Sequence, residues 1–126
     1  MYLDIIDDIN IEKSFKDQTF GWKVLHKSND GLTSAHFIYV PIYPTNKWLD
    51  EKDFRSTCCQ DSDYVESNTY KCGWHIFLIE EDAHKWRMEK CGAGKKKVVS
   101  MVVFRDVITY GSQLNFPIVV AKEMLI

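Results

Sequence analysis

The sequence has no long hydrophobic run, no marked excess of charge of either sign and no complete catalytic motif. Each absence excludes something. No apolar stretch approaches the ~18 residues of a membrane span, and a run such as Val98 to Val103, broken only by Ser100, is strand-sized. Formal charge is −2, from 16 basic and 18 acidic residues, so the electrostatic footprint of a duplex nucleic-acid binder is missing. A three-lysine turn, Lys95-Lys96-Lys97, reads as solubility rather than as a phosphate clamp. Nucleic acid and membrane are therefore not the expected partners. The opening Met1-Tyr2-Leu3-Asp4 shows neither a basic nor an apolar targeting region, and a cytoplasmic location is expected.

Catalytic signatures are also lacking. There is no Gly-x-Ser-x-Gly elbow, no His-Glu-x-x-His and no phosphate-binding Gly-rich loop ending in Lys-Ser/Thr. The four cysteines are Cys58, Cys59, Cys72 and Cys91, and without a secretory leader they read as reduced thiols. Cys72, His75, His84 and Cys91 are the residue types zinc prefers. Cys72 and His75 lie three apart on a strand, which sends them to opposite faces, so no metal site is expected. No cofactor is expected either.

What is present is enough for one domain over residues 1–126. Hydrophobic residues make up 45% of the chain, and no repeat or linker divides it. Residues 1–19 fit either a helical stripe of Ile5, Ile6, Ile9 and Phe15 or a short strand and loop. Residues 20–40 predict a hairpin around Ser28-Asn29-Asp30-Gly31, because Asp-Gly tolerates positive φ. Residues 45–69 form a long, polar middle loop, with Trp48, Leu49 and Phe54 as anchors toward the core. Residues 70–79 predict a buried strand. The helix that follows, about 80–90, carries acids in its first turn and Lys90 at its end, with Ala83 and Trp86 facing the sheet. Residues 96–110 predict a strand covered on both faces. Gly111-Ser112 is expected to turn the chain, and Pro117 to lead a last strand, 118–126. The fold class is α+β: a mostly antiparallel, twisted sheet with one main helix.

Two groups of residues are candidates for function. Tyr39, Tyr43, Trp48 and Phe54 put aromatic rings, the side chains that anchor protein interfaces, in and beside the middle loop. The acids Asp4, Asp7, Asp8, Glu12 and Asp17 crowd the N-terminus, and a second acidic stretch runs from Asp50 to Glu66. Both read as solvated faces or as surfaces for a basic partner.

The strand Gly73-Trp74-His75-Ile76-Phe77, the helix start Asp82-Ala83-His84-Lys85-Trp86 and the closing Ile118-Val119-Val120-Ala121-Lys122-Glu123-Met124 resemble small accessory proteins of phages and mobile elements. That resemblance implies a non-enzymatic protein that binds and inhibits a larger host protein, a defence nuclease for instance, as anti-CRISPR proteins do. The order of elements also resembles an ADP-ribosyltransferase-like fold. This second likeness implies a nucleotide- or NAD-binding role for His26, Trp74 and His75. It lacks the late-strand carboxylate, since Asn115-Phe116-Pro117 precedes the last strand and Glu123 comes too late in it. Without that charge the main electrostatic support of such a reaction is missing, and the chain leans away from an enzyme.

Overall fold

The computed structural model describes residues 3–35, 42–54, 70–91 and 96–126, with Cys91 described for its backbone alone. The elements are α1 (Ile9–Phe15), β1 (Phe20–Ser28), β2 (Gly31–Ser34), β3 (Trp48–Asp50), a single 3-10 turn (Glu51–Phe54), β4 (Trp74–Phe77), α2 (Glu80–Cys91), β5 (Lys97–Gln113) and β6 (Phe116–Leu125). They form the expected α+β architecture: six antiparallel strands and two helices. Among the described residues no helix is long and apolar enough to cross a membrane.

The pairings run in a circle. β1 lies against β5, β5 against β6, β6 against β4, and β4 returns to β1. The last link is a single residue pair, Trp22 with Phe77. β2 and β3 extend the system, β2 on the far half of β1 and β3 on the end of β6. The 17-residue β5 serves two partners, pairing through 97–103 with β1 and through 103–113 with β6. A register shift between Val107 and Thr109, beside Asp106 at φ 59°, bends it.

Alternation places each side chain. Leu25, Trp74, Ile76, Val102, Phe104, Val119, Ala121 and Met124 form one core cluster, joined by Tyr43 and Leu49. On the opposite face Val24, Phe77, Ile118 and Val120 pack under Ala83 and Trp86 of α2. Around Val24–Leu25 of β1, in β4 and in the middle of β6, both faces are thus buried. α1 begins at Asp8, whose carboxylate accepts from the backbone N–H of Asn10 and Ile11 at 3.0 and 3.2 Å. That cap satisfies two of the four orphan donors of a helix start. Neither alternative for the N-terminal segment is adopted whole: Ile9 and Phe15 fall in the helix, whereas Ile5 lies before it, bridged to Ser112 of β5.

The expected strand end at Gly111-Ser112 is corrected. β5 continues through both residues, and the chain reverses at Leu114-Asn115, with φ of 50° and 67°. These are the paired left-handed residues of a two-residue hairpin turn. Gly111 instead marks a close approach: a Cβ there would collide with the Ile5 carbonyl oxygen. Pro117 lies inside β6, opposite Ser112. The middle segment is also less irregular than expected, since it contains β3 and the 3-10 turn. Residues 55–69, with Cys58 and Cys59, lie outside the described residues, as does the expected strand beyond Ala35.

Candidate functional site

The polar groups most altered by their surroundings gather where β1 and β4 part company. The two strands share the Trp22–Phe77 residue pair alone, and a side chain bridges them on either side of it. Gln18 donates through Nε2 to the Phe20 and Leu78 carbonyls, at 2.7 and 2.9 Å. Lys23 points to the same face as Leu25, into the core. Its Nζ donates to the His75 carbonyl at 3.0 Å and stands 5.7 Å from the centre of the Trp74 ring. Burial lowers the Lys23 pKa to about 8, against the smaller opposing effect of Glu51.

His75 lies on the opposite face of β4. Its Nδ1 is 3.2 Å from the Gly73 carbonyl oxygen, and its Nε2 is 2.8 Å from the Tyr70 hydroxyl. Tyr70 in turn accepts the Leu3 backbone N–H at 3.0 Å. One assignment satisfies all three contacts: neutral His75 donates from Nδ1 and accepts the Tyr70 proton at Nε2. Burial, and then the nearby Lys23 charge, lower the His75 pKa to about 3. These polar atoms are engaged in tying the chain's N-terminal segment and β1 to β4.

Linkage gives a check on Lys23. Between pH 8 and 10 the unfolded lysine still holds a proton that the folded one has released, so stability rises with pH across that window. Above pH 10 Tyr43 opposes the trend, because burial raises its hydroxyl pKa to about 12. A urea midpoint higher at pH 9.5 than at pH 7.5 is expected for the native chain, with the rise removed in Lys23→Met. A flat native profile would place the ammonium in water.

The sequence candidates divide. Tyr43 is 4% exposed and packs edge-on against Phe54 and Trp74, each with ring centres 5.3 Å away. Tyr43 is therefore part of the core, and the half-buried Phe54 packs against it. Tyr39 lies outside the described residues. Of the nucleotide-binding candidates, His26 shares the α2 face with His75. Trp74 turns to the other face, where its Nε1 donates to the Leu49 carbonyl at 2.9 Å. The three do not meet. Among the described residues no group of three or more His, Cys, Asp or Glu side chains is placed to hold a metal ion.

Trp48 is different, because it belongs to a row that crosses four strands. Phe20, Val103, Leu125 and Trp48 stand directly opposite one another on β1, β5, β6 and β3. Their sequence neighbours Leu49, Met124 and Phe104 are buried in the core, so the row lies on the other face, the one α2 covers farther along; here Phe20 is exposed and Val103, Leu125 and Trp48 are half-buried. Trp22 and Met101 make the next rung, and Met101 is 59% exposed. On the opposite side the Arg105 guanidinium sits 4.0 Å from the centre of the Trp48 ring and bonds Glu123 at 3.1 Å. Sequence reading found Trp48 but missed its companions. The signal was the cross-strand register, which one chain's sequence does not display. No family model, curated protein or solved structure matches this chain.

Proposed function

We propose that the chain is a non-enzymatic binding protein that acts by covering a surface of a larger protein. The observation that carries this reading is the outward row Phe20–Val103–Leu125–Trp48 with its second rung, Trp22–Met101. Aromatic, methionine and arginine side chains are the ones enriched where protein partners bind, and here they share one sheet face. Arg105 holds the Trp48 ring in place, so little side-chain freedom is lost on docking. The phage-protein resemblance supports a host protein as the partner, a defence nuclease being the class it implies, with inhibition as the result. Capture from host lysate, followed by reconstitution with the purified captured protein, tests this. The paired variant Trp48→Ala, Met101→Ser is expected to weaken binding at least about tenfold, while the thermal midpoint stays within a few degrees. Unchanged capture by that variant would remove the row from the interface.

A further inference from the structure

Beyond the Asp106 bend a second surface has a different character. Residues 4–12 run along the outer side of β5. The Asp4 N–H donates to the Ser112 carbonyl at 2.8 Å, the Ser112 N–H to the Ile5 carbonyl at 3.0 Å, and the Asp8 N–H to the Tyr110 carbonyl at 2.9 Å. Asp7 is locked to the strand twice, its N–H donating to Thr109 Oγ1 at 3.1 Å and its carboxylate accepting from it at 2.6 Å. The Leu114 N–H at the hairpin tip donates to the Asp4 carboxylate at 2.7 Å. The two segments thus form one continuous ridge.

That ridge exposes four large aliphatic side chains: Ile5 at 50%, Ile9 at 60%, Val107 at 42% and Leu114 at 45%. Between them lie Asp4, Asp7, Asp8, Glu12 and Asp106. Residues 4–12 and 106–115 contain no lysine or arginine. Lys13 and Arg105 stand at its margins, and Arg105 is paired with Glu123. The Tyr110 hydroxyl reports the local field: burial raises its pKa, and Glu12 and Asp17 raise it further. Asp7, Asp8 and Glu12 also line a groove with Val107 to Tyr110. Leu114 occupies a left-handed turn position where Asn or Gly is favoured, so this apolar tip is kept against the local backbone preference.

We propose that this ridge docks on a cationic protein surface containing aliphatic pockets. The carboxylates supply long-range attraction and orientation, and the four aliphatic side chains supply the short-range contact. A second copy of the chain is disfavoured as occupant because it would bring five carboxylates against five. An anionic membrane is disfavoured for the same reason. The ridge shares no residue with the Trp48 row.

The test uses the intact chain and two labelled 20-residue peptides, one built of lysine and leucine, the other with serine in place of leucine. The lysine–leucine peptide is expected to bind about tenfold more tightly, and to weaken about tenfold between 0.1 and 0.5 M salt. Asp8→Asn with Glu12→Gln removes charge while keeping a capping side chain. Ile9→Ser with Leu114→Asn removes apolar contact while improving the turn. Each pair is expected to weaken binding about tenfold with the urea midpoint preserved, and Met88→Ser, on the exposed side of α2, to leave it unchanged. Equal binding of both peptides, binding indifferent to both variant pairs, or a dimer in sedimentation that Ile9→Ser with Leu114→Asn dissolves would each overturn the proposal.

Discussion

Gly21→Ala is expected to cost about 3 kcal/mol or more of stability, at the upper end for forcing extra atoms into a packed interior. A Cβ at residue 21 would stand 2.5 Å from both the Phe77 carbonyl oxygen and Ile76 Cγ2. The first of these is backbone and cannot rotate away. The next residue, Trp22, makes the one residue pair that closes β4 onto β1, so the added methyl pushes apart the weakest link of the ring. Urea denaturation of Gly21→Ala beside Gly73→Ala gives the comparison. At Gly73 the nearest contacts are at 2.8 Å, two of them side-chain methyls that can shift. A Gly21 variant no less stable than the Gly73 variant would mean that β1 and β4 do not approach as described.

Acid is expected to weaken the fold through His75. Its folded pKa is about 3, against 6.5 for the free side chain. Below pH 6.5 the unfolded imidazole takes up a proton that the folded one refuses. The unfolded state therefore binds more protons, and stability falls as pH drops from about 6.5 toward about 3. The full slope from one such group is about 1.4 kcal/mol per pH unit. Forcing the proton on puts an N–H against the Tyr70 hydroxyl, which already accepts from Leu3. The urea midpoint should fall steeply between pH 6 and 4, and His75→Gln should reduce that slope. Amide exchange in residues 3–5 should quicken in the same range. An imidazole that titrates near 6.5 in the native protein would overturn the assignment of a buried, neutral His75.

The alternating Phe20, Trp22 and Val24 marked one apolar face of β1 correctly, and the acids of α2 marked its start. That same alternation puts Lys23 on the other face, beside Leu25, but says nothing of its surroundings. That face is also covered in the middle of β1, so the cation lies over an aromatic ring and reaches a carbonyl. Tyr70 was missed for a related reason: its two partners, Leu3 and His75, sit on either side of it in sequence with no shared motif. Gly111 carried a true signal that was assigned to the wrong cause. Glycine serves a turn and a close backbone approach equally well, and only the position of Ile5 distinguishes them. The anchoring role read for Phe54 holds, since the half-buried ring packs against Tyr43 and Trp74.

The two-partner strand β5 also sets an order of events. Its union with β6 is local, closed by a two-residue turn, and hairpins of this kind form in about 1–10 μs. Its union with β1 joins residues such as Phe20 and Val103, which lie at opposite ends of the chain. That loop must be closed at a large entropic cost before any pairing repays it. The β5–β6 hairpin is therefore the expected template, and the docking of β1, with its own local partner β2, the later step. During synthesis β1 emerges first and has to wait, with Phe20, Trp22 and Val24 uncovered, until nearly the whole chain is available to receive it.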